Sequence, residues 1–301
     1  MSVAVDAPAA RTVTTRGYFK NPWRRPRVLQ GVTLAYLLWS LLPVVIAVIF
    51  SFNDGRSRIS WQGFSLRWWT QDQTDSLLHD AAMRQAMAQT YKLAAITVLV
   101  AVPLGTLFAI GVDRWHARPA RMANFTMLLS FVVPEMILGV SLYILFTNLL
   151  NGLVPLGTPA QMLGLITFQL SYPVVIVRAR LLSIGPEYEE AAMDLGATPS
   201  QAIRRILLPL ISPAILASVA LVFADVVDDF VTVAALSGPA SSETLAQKIY
   251  AASRSSPTPE VNAAATMMLV TTLFVVAVGL LLYRRIGRVQ GGSNASDFMQ
   301  L

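Results

Sequence analysis

Four carboxylates stand inside apolar stretches of this chain: Glu135, directly after Pro134, and Asp225, Asp228 and Asp229. A charged side chain at the centre of a membrane helix costs roughly 2.5–3.5 kcal/mol on insertion scales unless it faces a cavity or a partner. Neither stretch contains a Lys or Arg. The chemistry on offer is therefore that of water, shared protons or a cationic ligand. On an uninterrupted helix Asp225 and Asp229 fall at i and i+4, with Asp228 alongside, so the three acids would share one face. Tyr143, Phe168, Tyr172 and Phe230 could add cation–π faces, although packing between helices is the simpler use for any one of them. Two plainer readings stand beside this one. Glu135 could be a protonated carboxyl bonded to backbone freed by Pro134. Asp228 and Asp229 could be interfacial if their helix ends early.

The elements that must position these acids are membrane helices. The 301 residues are 54% hydrophobic and only 13% charged, with mean hydropathy +0.56. A soluble domain carries about 25% charged residues. Six apolar segments approach or exceed the roughly 20 residues that cross a bilayer: about 28–52, 86–112, 124–150, 161–182, 210–236 and 262–283. The expected class is all-α, a polytopic protein with six transmembrane helices. Net charge is +6. Sixteen of the 23 Lys and Arg flank these segments on alternate connections, so both termini are expected in the cytoplasm. The basic segment 1–28 has no cleavage-site pattern and reads as an uncleaved cytoplasmic tail. Trp61, Trp68 and Trp69 fall in the first outer connection, where indoles suit the membrane interface.

The same composition excludes much. There is no Cys, and the two His, His79 and His116, fall in connections. No metal site, catalytic residue or nucleic-acid partner is expected. No Gly-x-x-x-x-Gly-Lys-Ser/Thr run is present, so the chain lacks the phosphate loop that binds ATP. No internal repeat is visible, which weakens a secondary-transporter reading without removing it.

A second polar constellation lies between the fourth and fifth segments. Glu187, Glu189 and Glu190 follow Pro186 and fall in the first turn of a short helix, where acids complement the helix dipole. Gly196 suits the residue just past its end. Thr198-Pro199-Ser200-Gln201 then reads as a capped start of a second helix. The result is helix, sharp turn, helix, with small Ala191 and Ala192 open to close approach and Arg204 and Arg205 adding charge.

Glu190-Ala-Ala-Met-Asp-Leu-Gly196, followed by Ile206-Leu-Leu-Pro209, resembles the EAA loop of ABC importer permeases in every element of its spacing. That resemblance implies a MetI-like, type I permease core over residues 85–285, with a coupling loop at 185–209. Residues 1–28 would be an N-terminal tail, 29–84 the first helix and outer loop, and 286–301 a C-terminal tail. It implies that Glu189, Glu190, Ala191, Ala192, Asp194, Gly196, Arg204, Arg205 and Pro209 meet the ATPase. The implied partners are an ATPase dimer that binds ATP–Mg, a sister permease, an extracytoplasmic binding protein and the bacterial inner membrane. The chain itself needs no cofactor.

Shorter matches are similar to the putrescine/spermidine branch: Ser51-Phe-Asn53, Pro134-Glu135, Asp228-Asp-Phe230, Ser237-Gly-Pro239 and Pro259-Glu-Val-Asn-Ala263. They imply a polyamine substrate, passing Glu135, Asp225, Asp228, Asp229, Tyr143 and Tyr172. Asp225-Val-Val and Ala246 depart from that branch, so another small solute stays open. Two other classes use the same acids: an ion-coupled transporter with a proton relay, and an intramembrane hydrolase pairing Glu135 with Asp229. The coupling loop argues against the first, and nothing in the sequence supplies a substrate site for the second.

Overall fold

The computed structural model describes residues 27–57, 60–114, 118–255 and 258–289. The tail before Arg27, His116 and the residues after 289 lie outside them. Two compact units divide the chain between Ile46 and Ala47. The described part of the first is the body of helix α1 (Arg27–Phe50), an uncharged apolar helix after Arg27 with mean hydropathy 2.4 over its span.

The second unit is helical apart from its connections, with a single antiparallel bridge between Asn53 and Phe64 among the described residues. Its helices are α2 (Ala81–Arg114), α3 (Arg118–Val132), α4 (Glu135–Ile144), α5 (Thr158–Gln169), α6 (Ser171–Ile184), α7 (Glu187–Asp194), α8 (Pro199–Ala202), α9 (Leu208–Asp228), α10 (Val231–Ala235), α11 (Leu245–Ser255) and α12 (Pro259–Val289). Helices α2, α6 and α9 pack on one another, and α12 packs on α9. The core lies between them. Leu93, Val102, Leu165, Val222, Val226 and Met268 form one cluster. Val177, Leu181, Leu207 and Ile211 form another, at the end nearest α7.

Five of the six expected spans fall on apolar helical stretches long enough to cross a bilayer, the fourth running through α5 and α6 and the fifth through α8 and α9. The third is broken. At Pro134, which has no N–H to bond the preceding turn, the backbone leaves the helix (φ −57°, ψ 132°), so α3 stops at Val132 and α4 restarts at Glu135, running on into a π-helical turn at Leu145–Leu149. The fifth expected span is also cut short, since α9 stops at Asp228 and α10 is a separate turn.

The connection between α1 and α2 packs on itself through its indoles. Trp68 is fully buried and its Nε1 donates to Asn53 O at 2.7 Å. Trp69 Nε1 donates to Ser51 O, and its ring stacks on Phe52. Of the three indoles expected at the interface, Trp61 is well exposed and Trp68 is not. His79, in the same connection, shares a hydrogen bond with Ser76 Oγ.

Candidate functional site

The helix break at Asp229 builds the first site. Asp229 has extended backbone (φ −61°, ψ 113°), and its Oδ1 accepts from Thr232 N at 2.9 Å and Val233 N at 3.4 Å. Aspartate is among the strongest residues for this role at a helix start, so the side chain caps α10 and turns the chain away from α9. The expectation that Asp225, Asp228 and Asp229 occupy one continuous helix face is therefore corrected: Asp229 lies beyond the helix. The acids still converge. Glu135, Leu221, Ala224, Asp225, Asp228, Asp229, Phe230 and Val231 line one open cleft of about 410 Å³.

Each acid is held differently. Glu135 Oε1 accepts from Thr232 Oγ1 at 3.0 Å, which ties α4 to α10. Those helices approach closely because Gly139 leaves room for Ala235: a Cβ on Gly139 would stand 3.1 Å from the Ala235 methyl. Asp225 Oδ2 accepts from Gln169 Nε2 at 2.6 Å. Asp228 is exposed. Asp229 is buried, and among the described residues no N–H donor reaches its Oδ2. Among the described residues no Lys or Arg lines the cleft and none of the four acids forms a salt bridge. Such a site has acceptors in excess and is suited to a donor-rich cation. Phe230 adds an aromatic wall, its ring 4.3 Å from that of Tyr250.

The two tyrosines expected on the route do not line the cleft. Tyr143 is exposed on α4. Tyr172 is half-buried between Phe131 and Phe168 in edge-to-face contacts. Sequence reasoning missed Gln169, Thr232 and a buried amide pair. Gln161 is fully buried: its Oε1 accepts from Gln89 Nε2 at 3.0 Å, and its Nε2 donates to Val233 O and Ser242 O. Glutamines inside apolar runs were the available signal, because a buried amide must find partners.

The second site is the helical hairpin between α6 and α9. Helix α7 begins at Glu187, with Pro186 as its cap, one residue later than Pro186 as first helical position. It ends in a Schellman motif: Gly196 N donates to Met193 O and Ala197 N to Ala192 O. Gly196 has φ +90°, the left-handed backbone this ending requires. Thr198 and Gln201 form a reciprocal capping box at α8. The second helix then continues through a π-helical turn (Ile203–Leu207) into α9, so the hairpin is continuous with the helix that carries Asp225. Glu190, Ala191, Asp194, Gly196, Arg204 and Arg205 are exposed, and Leu195 is 90% exposed at the tip. Ala192 and Pro209 are half-buried. Glu189, one of the residues that the resemblance assigns to the ATPase contact, is turned inward and paired with Arg114.

A family model described as binding-protein-dependent transport system inner membrane component matches residues 101–289. Over 257 residues the chain is 35% identical to the putrescine transport system permease protein PotI of Escherichia coli K12, covering 83% of this chain and 86% of that protein.

The chain belongs to this permease family.

It is a transport permease subunit, as its relatives are, and not an enzyme. The spermidine/putrescine transport system permease protein PotC of Shigella flexneri is 33% identical over 267 residues, covering 88% of this permease and 98% of its own length. Among solved structures, a bacterial ABC transporter involved in import of the acidic polysaccharide alginate has the same fold, with TM-score 0.69 at 20% identity over 86% of this chain and 96% of that one. The MetNI methionine ABC transporter follows at TM-score 0.55 and 18% identity, over 67% and 93%. The MetI-like all-α permease fold expected from the loop spacing is thus the fold observed.

Proposed function

We propose that this permease is one half of the membrane pathway of an ATP-driven importer for a polyamine such as putrescine or spermidine. The cleft of Glu135, Asp225, Asp228 and Asp229 borders the route, and the exposed face of the 187–207 hairpin seats an ATPase subunit. A sister permease, an ATPase dimer and an extracytoplasmic binding protein complete the complex. Both termini face the cytoplasm in this reading. The chain needs no cofactor of its own, because ATP–Mg binds to the ATPase subunits.

The observation that carries the substrate class is the charge of the cleft. Four acids without a basic neighbour would repel an acidic polysaccharide of the kind handled by the alginate importer, although the folds agree. Protonated amines reverse that balance, since each ammonium offers charge-assisted donors to carboxylates. Several spaced acids also suit passage better than one tight cage, because the ligand must leave. The two relatives named for putrescine and spermidine transport point the same way.

The test is uptake by the complete complex in proteoliposomes. ATP-dependent accumulation of labelled putrescine or spermidine that persists when the membrane potential is collapsed supports the reading. Uptake that follows the potential and ignores ATP depletion contradicts it.

A further inference from the structure

Arg114 is the last residue of α2, and its guanidinium reaches across to α7. Its Nε donates to Glu189 Oε2 at 3.0 Å and its Nη2 to Glu189 Oε1 at 2.8 Å, a two-bond fork on one carboxylate. Nη2 also reaches Gly185 O at 3.4 Å, the cap of α6, and Nη1 bonds Asp113 Oδ2 at 2.6 Å. Both partners are largely shielded, with 26% and 11% of their side chains exposed. The charges suit their places. The cation sits at a helix C-terminus and the acid in the first turn of another helix, so each complements its dipole. A fork of this kind fixes orientation as well as distance.

The N-terminal third of α2 is gripped too. Thr90 Oγ1 accepts from Leu245 N at 2.9 Å. Gln89 donates to Gln161, whose amide holds Val233 O in α10, the helix capped by Asp229. From Gln89 to Arg114, α2 rises by 25 residues, about 38 Å at 1.5 Å per residue. It therefore joins the hairpin to the wall of the cleft through polar grips at both.

We infer that Arg114 is a positioning residue for energy coupling: its fork on Glu189 fixes the α7 hairpin to α2, and α2 carries the hairpin's displacement to the α10 wall of the cleft. This rests on the proposed role of the hairpin as the ATPase seat. That seat lies on the exposed side of α7, and the tether on its buried side.

The experiment uses the complete complex in proteoliposomes, measuring polyamine moved per ATP hydrolysed. Arg114→Met should leave assembly and basal hydrolysis in place and lower that ratio about fivefold or more, the lower end of ordinary coupling between sites. Arg114→Lys, which keeps the charge without the fork, should fall between. Because Arg114→Met strands a shielded carboxylate, the double variant Arg114→Met with Glu189→Met serves as the stable control. It should regain thermal stability and stay uncoupled. A double variant that couples normally overturns the inference and leaves the pair a structural tie. Glu190→Lys separates the two readings. If it uncouples while Arg114→Met does not, the tether is wrong and the seat stands; if Glu190→Lys couples normally, both are wrong.

Discussion

Replacing Gln161 by Leu tests how the cleft wall is held. The side chain is fully buried and makes three hydrogen bonds: to Val233 O at 3.3 Å, to Ser242 O at 3.1 Å, and from Gln89 Nε2 at 3.0 Å. Their loss is not equal in cost. Val233 O keeps a bond from Ser237 Oγ, and Gln89 Nε2 keeps Thr158 Oγ1. Ser242 O loses its bond from Gln161 Nε2, the one side-chain donor to it among the described residues. One stranded buried carbonyl costs about 1–3 kcal/mol and each ordinary bond lost about 0.5–1.5 kcal/mol. Leucine returns part of this through its apolar side chain, leaving a net destabilisation of about 2–4 kcal/mol. Equilibrium unfolding in mixed micelles measures that total. Amide exchange locates it: protection should fall across Val231–Leu245 and hold in the middle of α6. Gln89→Leu should not add to Gln161→Leu, because the two amides bond each other. A loss under about 0.5 kcal/mol, or unchanged exchange in the wall, would refute this account of the amide pair.

Other outcomes follow from the hairpin and the connection between α1 and α2. Gly196→Asp should uncouple ATP hydrolysis from uptake without blocking insertion. A Cβ there meets no atom within 4 Å, so the cost arises from the φ of +90° and not from a clash; normal transport would contradict it. Asp72 Oδ1 accepts from Thr74 N and Asp75 N, and Oδ2 accepts from Arg67 Nε. These bonds hold its carboxyl well below the ordinary 3.8. A depressed folded-state pKa means that the stabilisation is complete above the unfolded value, declines as pH falls below it and is gone below the lower folded one, while the folded-state carboxyl stays ionised down to that lower value. The fluorescence of Trp68 and Trp69 in the wild type should therefore hold at pH values just below 3.8. A carboxyl resonance for Asp72 titrating at the ordinary value would contradict this.

The sequence displayed the hairpin almost completely. Gly196, Thr198, Pro199 and Gln201 act through bonds within a few residues, so their types and spacing suffice. The burial of Glu189 was not visible, because its partner Arg114 lies 75 positions away and a motif cannot show which of adjacent acids faces inward. The membrane acids tell the same story. Their presence was plain, but the shared helix face failed at Asp229, whose side chain competes with the helix by capping the next one. The break at Pro134 was likewise hidden by an apolar run that reads as one span on hydropathy alone. Trp68 shows the limit for aromatics: an indole suited to an interface also suits a buried site when its N–H finds a carbonyl.

The central claim is that these acids serve a passing cation. Polyamine uptake by the complete complex carrying Glu135→Gln or Asp229→Asn tests it most directly, with assembly and basal ATP hydrolysis measured in the same vesicles. Glutamine and asparagine keep acceptor oxygens for Thr232 Oγ1 and for the α10 cap, so the fold is retained while the charge is removed. The account predicts intact complexes with strongly reduced polyamine uptake. Intact complexes that import polyamine at the wild-type rate would contradict it.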